Sequence, residues 1–300
     1  RRWWRRPATP APRRPRPDPG ASVSDAETTR DGRRILGPRN PRIVELRRLL
    51  GRRSSRSAHV VLEGPRTVAE ALGGGIVPGV VLVPESRIDD ERVAGVLDRL
   101  GRSVGADATE VLVVRDAAFG GLTATVNPQP MLALVDRPVA SVPEQLTDDA
   151  VVLVLVDVGD PGNVGTLVRL ADAVAAAAVV VVGGADPWGP KAVRASAGSV
   201  LRVPIVAAEN VADALGPLRA AGATVVATDV RHGEPHDGGV LTPPVAIVLG
   251  SEPRGLDRSI APLVDHWTRI DMRGPTESLN VAMAGALLAY EASSSADSSG

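Results

Sequence analysis

From about residue 35 onward, apolar residues fall into short runs separated by stretches of helical spacing. In NPRIVELRRLL a proline near the start precedes Ile43, Val44, Leu46 and Leu50, which predicts a helix with an arginine-rich exposed face. AHVVLEG, GVVLVPE and TEVLVV read as strands. PRTVAEAL, with Pro65 in its first turn, and DDERVAGVLDRL read as the helices between them. This α/β unit closes near PQPMLALVD, and RPVASVPEQLTDDA then has the proline and polar content of a linker.

A second unit starts at AVVLVLVDV, a continuous apolar run of the kind that fills a parallel strand buried on both faces. Further strands are expected at AVVVVGG, SVLRVPIV, ATVVATD, PVAIVLG and HWTRID, with helices after the first, second, third and fifth. That alternation predicts an α/β fold with a parallel sheet and helices on both faces. The resulting division is 34–137, a linker 138–149, a second unit 150–292, and disordered tails at 1–33 and 293–300. Ligands in parallel sheets bind beyond the carboxyl ends of the strands, so the loops at 158–163, 250–257 and 271–279 are the places for a site.

Composition narrows the chemistry. The chain has 300 residues, no cysteine and only four histidines, which excludes disulfides and thiolate metal sites and argues against zinc. A reducing, cytoplasmic setting fits, and no apolar run reaches the ~18 residues of a membrane span. The net charge of −1 hides an asymmetry: residues 1–56 hold seventeen arginines against five acidic residues, and the remainder is acidic. A basic arm on an acidic body suits an anionic polymer, although Arg1 to Arg16 with Trp3 and Trp4 equally suits an unstructured tail.

In the first loop, DVGDPGNVGTLVR, Pro161 sets φ in the turn, and Gly162 and Gly165 permit close backbone approach. Its glycine spacing is not that of a dinucleotide-binding loop, which disfavours a nicotinamide oxidoreductase. Taken alone, Asn163 also reads as a helix cap and Arg169 as a solvated helix residue. The second loop, VLGSEPRGLD, places Gly250, Ser251 and Glu252 after a strand. The third, RIDMRGPTESLNVAMAGALLAYE, places Ser278 and Asn280 at the entrance to a helix rich in small residues.

Together the three stretches, with DPWGPKAVRASAGS between the first two, resemble the SpoU/TrmH branch of the SPOUT methyltransferases over about 151–291. Residues 35–137 are similar to the small ribosomal-protein-like RNA-binding domain that precedes the catalytic domain in many members. The resemblance implies a parallel-sheet SPOUT domain with a deep trefoil knot, a homodimer, and S-adenosyl-L-methionine as cofactor. It places cofactor contacts on Gly250, Ile270, Met272 and Leu279, and catalytic roles on Arg169, Asn163, Glu252, Ser278 and Asn280. It implies an RNA 2′-O-ribose methyltransferase acting on ribosomal RNA, with transfer RNA or noncatalytic RNA binding as alternatives.

An arginine stays protonated below pH ~12, so clamping of phosphate or sugar is the role weighted for Arg169 above proton abstraction. RNA contacts are expected from Lys191, the only lysine, from Arg194, and in the first unit from Arg39, Arg42, Arg47, Arg48 and Arg66. Three departures from the family pattern stand out. Ala175 replaces a helix-ending glycine, Pro253 stiffens the second loop, and Trp188 replaces a smaller aromatic and is a candidate for stacking on a base or packing at a dimer edge.

Overall fold

The computed structural model describes residues 4–5, 28–29, 32–51, 58–103, 109–123, 127–251 and 254–297. Most of the N-terminal tail, together with Glu252 and Pro253, lies outside these residues. The chain divides into two compact units that part between Arg137 and Pro138.

Near the start, Trp4–Arg5 forms the short strand β1. The first unit contains β2 (Ile35–Leu36), α1 (Pro41–Gly51), β3 (His59–Glu63), α2 (Pro65–Gly73) and β4 (Val80–Pro84). It continues through the 3-10 turn η1 (Glu85–Arg87), α3 (Glu91–Ser103), β5 (Glu110–Val114), α4 (Asp116–Gly120) and β6 (Leu132–Asp136). Its sheet has the order β2-β5-β4-β6-β3, parallel at β2-β5 and β5-β4 and antiparallel where β6 joins β4 and β3. Ile43, Leu46 and Leu50 are spaced to one face of α1 and sit in the core with Leu82, Val114 and Leu132, as the apolar spacing predicted.

The second unit begins with β7 (Val139–Ala140), which pairs antiparallel with β1. The stretch expected as a linker is therefore attached to this unit, and Leu146 and Ala150 are buried in its core. Next come β8 (Val151–Val156), α5 (Pro161–Ala173), β9 (Ala178–Val182), α6 (Pro190–Ala195), η2 (Ser199–Leu201) and β10 (Ile205–Ala208). The chain goes on through α7 (Val211–Ala220), β11 (Thr224–Thr228), β12 (Glu234–Pro235), β13 (Val245–Leu249), η3 (Arg258–Leu263), β14 (His266–Arg269) and α8 (Val281–Asp297).

These strands make a seven-stranded, wholly parallel sheet in the order β10-β9-β8-β13-β11-β14-β12. Every residue of β8, β9 and β13 is buried, which explains their unbroken valine and leucine runs. Three expectations change. The strand expected from Ser199 begins only at Ile205, because Pro204 has no N–H to give a ladder. After β11 the prolines and glycines of residues 229–244 hold a loop with β12 in place of the expected helix. The C-terminal tail is shorter than expected: α8 runs to Asp297, with Ser293 and Ser294 donating their hydroxyls to the Tyr290 carbonyl.

Ala175 ends α5 in the left-handed region at φ +52°, a position where a Cβ costs about 1 kcal/mol. Ala175→Gly is expected to raise stability by about 0.5–1 kcal/mol and to lift the thermal midpoint, since strain relief outweighs the added freedom of the unfolded chain. A lowered midpoint would show that the strain has been overstated.

Candidate functional site

All strands of the second sheet point the same way, so the loops leaving β11, β13 and β14 emerge at one edge. With the start of α8 they enclose a cavity of about 800 Å³. The wall contains Gly250, Ile270, Met272, Ser278, Leu279 and Asn280, so six residues singled out from two separate sequence stretches converge. Leu249, Leu256, Val281 and Leu288 add apolar surface, and Thr228, Thr268 and Glu277 add polar groups. A large hollow that offers apolar and polar groups in similar measure is suited to a small organic cofactor that is itself part apolar and part charged.

Glycine is required at position 250 by space. A Cβ there would lie 2.5 Å from the Gly255 carbonyl carbon and 2.7 Å from the Leu256 nitrogen, both backbone atoms of the same loop. The loop folds back on itself through a Gly255 N–H donated to the Ser251 carbonyl at 2.8 Å. Gly285 plays a packing role on α8, because a Cβ there would meet Leu167 at 2.5 Å and Leu249 at 3.0 Å. This close seating of α8 beside α5 and β13 brings Asn280 to Asn163.

Asn280 Nδ2 donates to Asn163 Oδ1 at 3.2 Å, while Asn280 Oδ1 accepts from the Ala282 N–H at 2.9 Å and caps α8. One side chain thus ties the third stretch to the first. Asp160 caps α5 by accepting from the Gly162 and Asn163 N–H groups. Lys191 reaches the same carboxylate at 3.1 and 3.2 Å, and this bond, followed by that from Gly162, holds the exposed Asp160 below the usual carboxylate range. Asn163 and Arg169 are not in the cavity wall of this chain; Arg169 stands exposed on α5 with no hydrogen bond or ion pair among the described residues. Glu252 lies outside the described residues.

The other sequence candidates are more dispersed. Arg194 is exposed on α6. In the first unit Arg39, Arg47, Arg48 and Arg66 are exposed, Arg66 beside Glu70 at 3.3 Å. Arg42 is half-buried and donates to Glu110 and to Glu45, which ties α1 to β5. Burial disfavours its charge, but the two carboxylates outweigh that and raise its pKa. Trp188 is only 6% exposed within its own chain, so packing takes up the ring that was a candidate for stacking on a base. Among the described residues no group of three or more His, Asp or Glu is placed to hold a metal, and no helix is long and apolar enough to cross a membrane.

Sequence reasoning missed one wall entirely, the loop after β11. Asp229 Oδ1 accepts from the N–H groups of Arg231 (2.7 Å) and His232 (2.9 Å), and Oδ2 accepts from Arg258 at 2.5 Å. Arg258 also lies 4.2 Å above the Trp267 ring. An aspartate followed two residues later by its own backbone donor is a turn signal, and its place after a strand could have flagged it.

Partial burial pulls the Asp229 carboxyl upward in pKa, but the backbone donors, His232 and Arg258 outweigh this and hold it below its ordinary value. A depressed native value means stability that is present above the unfolded pKa, about 3.9, and lost as pH falls through the native one. Asp229→Asn is expected to melt below the wild type at neutral pH and to match it in strong acid. A gap that persists under acid would place the effect elsewhere than in this charge.

Comparison with known proteins adds two family matches and several relatives. Residues 150–290 match the SpoU rRNA Methylase family, and residues 40–133 match the MRM3-like substrate binding domain. The chain is 30% identical over 261 residues to the 23S rRNA (guanosine(2553)-2′-O)-methyltransferase RlmP of Bacillus subtilis, covering 86% of this chain and 98% of that protein. It is 30% identical over 282 residues to the 23S rRNA (uridine(2479)-2′-O)-methyltransferase of Streptomyces viridochromogenes, covering 90% and 94%. The crystal structure of the SpoU methyltransferase AviRb from Streptomyces viridochromogenes with the cofactor AdoMet superposes with a TM-score of 0.73 at 29% identity, over 85% of this chain and 98% of that one.

Proposed function

Because the chain belongs to the SpoU rRNA methylase family, we propose that it transfers a methyl group from S-adenosyl-L-methionine to a ribose 2′-hydroxyl of 23S ribosomal RNA. The observation that carries the reading is the convergence of Gly250, Ile270, Met272, Ser278, Leu279 and Asn280 on one cavity at the carboxyl edge of a parallel sheet. Its size, the backbone-only gap at Gly250 and its mixed apolar and polar lining fit the cofactor, which would be held there by Gly250, Ile270, Met272 and Leu279. The bound cofactor supplies a methyl on a positively charged sulfur, an electrophile that asks the protein for alignment more than for acid or metal assistance.

Alignment is what the remaining residues are suited to do. Ser278 and Asn280 present a hydroxyl and an amide at the cavity wall for the sugar. Asn163 fixes Asn280 from behind through their 3.2 Å bond. Arg169, exposed and without a partner among the described residues, grips the phosphate beside the target ribose and so brings the hydroxyl into line. Glu252 is assigned an orienting role in the second loop. The matched substrate-binding domain, with Arg39, Arg42, Arg47, Arg48 and Arg66, holds folded RNA by its backbone, and Lys191 and Arg194 add phosphate contacts. The trefoil knot belongs to the same reading, and a ribosomal substrate places the protein in the cytoplasm.

The reading includes a homodimer. On α8 the exposed apolar residues Met283, Leu287 and Tyr290 are spaced by four and three, which puts them on one face, and exposed Leu279 stands just before the helix. Met283 and Tyr290 are 64% and 69% exposed, too apolar a stripe to be left in water without use. A second copy seated on this stripe leaves α5 beside it to offer Arg169 to the partner's cavity. Met283→Asp with Leu287→Asp is expected to sediment as a folded monomer without methyl transfer; a monomeric wild type would overturn the dimer.

The substrate is tested with labelled cofactor and unmodified transcripts. Label entering 23S rRNA, with little entering transfer RNA, is the expected result. Label entering transfer RNA alone would overturn the assignment.

A further inference from the structure

Four arginines line the cavity, Arg231, Arg254, Arg258 and Arg269, against the two carboxylates of Asp229 and Glu277. Two of the four are already partnered: Arg258 by Asp229, and Arg269 by Asp271 at 2.7 Å and by the Gly233 carbonyl. Arg231 and Arg254 are exposed, and their side chains have no hydrogen bond or ion pair among the described residues. We propose that these two arginines form a cationic rim that binds phosphates of the RNA flanking the methylated nucleotide.

The argument is one of charge and of rigidity. It rests on the functional reading above. S-adenosylmethionine carries a sulfonium and an ammonium against one carboxylate, so two unpaired cations beside its cavity work against its binding unless an anion neutralises them. A polyanion arriving with the substrate supplies that anion and releases counterions as it binds.

Arg231 also sits on a braced turn. Arg231 follows Asp229, whose carboxylate accepts from the Arg231 and His232 N–H groups and from the Arg258 side chain across the loop. Arg254 is in the loop closed by the Ser251 and Gly255 backbone pair. A rigid turn loses little entropy when its cation is engaged, which is what a phosphate clamp needs. Val230, 53% exposed between Asp229 and Arg231 and also in the cavity wall, offers apolar contact to a sugar or base at the same place.

The test uses the full chain and labelled 23S rRNA in filter binding across a salt titration, with Arg231→Ala, Arg254→Ala and the double variant. The slope of log affinity against log salt is expected to fall by about 1 for each arginine removed, while calorimetric affinity for S-adenosylmethionine stays within about twofold of wild type or improves. An unchanged slope overturns the proposal. So does a loss of cofactor affinity with RNA binding intact, which would assign the rim to the cofactor carboxylate. Failure of the functional reading is a separate outcome: a wild type that binds RNA and transfers nothing rejects the reaction, and the slopes of the variants still decide the rim.

Discussion

Arg169→Ala is expected to lower the rate of methyl transfer by about 10³-fold, with the thermal midpoint and the affinity for S-adenosylmethionine unchanged. The expectation of unchanged stability follows from its surroundings: the residue is exposed on α5, it holds no partner among the described residues, and it is absent from the cavity wall. Nothing in the fold depends on it, so its loss is read only in the reaction. The size of the effect follows from its proposed task, since a charged group that fixes a phosphate beside the reacting hydroxyl acts through alignment and local field at once. Arg169→Lys is expected to recover little, because a point charge does not reproduce a planar two-pronged contact. Near-normal turnover in Arg169→Ala would remove the residue from the site.

Gly250→Ala is expected to weaken cofactor binding by at least about tenfold and to abolish transfer at ordinary cofactor concentrations. The added methyl would meet backbone on the far side of the same loop at 2.5 to 2.7 Å, and backbone cannot swing aside as a side-chain tip can. The loop must open, and the wall formed by Gly250, Ser251, Arg254, Gly255 and Leu256 moves with it. The change is local, because β13 ends at Leu249 and its register with β8 and β11 is complete before the glycine. Calorimetric titration separates the outcomes: lost cofactor affinity in a protein that still melts cooperatively supports the account, and wild-type affinity contradicts it.

Much of the architecture was legible because the core signals are dense. The unbroken apolar runs of β8, β9 and β13 and the helical spacing of α1 leave few alternatives. The second and third loops were legible as a site because their residues stand directly after strands and before a helix, and those positions meet in space once the sheet is parallel. Arg169 and the loop at 229–232 were not legible in the same way. The spacing from Asn163 to Arg169 says that both are on one helix, but not which way the arginine faces once α5 packs on α6 and α8. The brace of Asp229, His232 and Arg258 joins residues 26 to 29 positions apart, and no local pattern encodes such a pairing. Lys191 shows the same limit: its pairing with the Asp160 carboxylate joins residues 31 positions apart.

The central claim is that the methyl group goes to a sugar oxygen. Labelled methyl transferred to unmodified 23S rRNA and followed by exhaustive alkaline hydrolysis tests it, because a methylated 2′-hydroxyl can no longer attack the adjacent phosphate. The account predicts that the label is recovered in an alkali-resistant dinucleotide. Recovery of the label in mononucleotides would place the methyl on a base and contradict it.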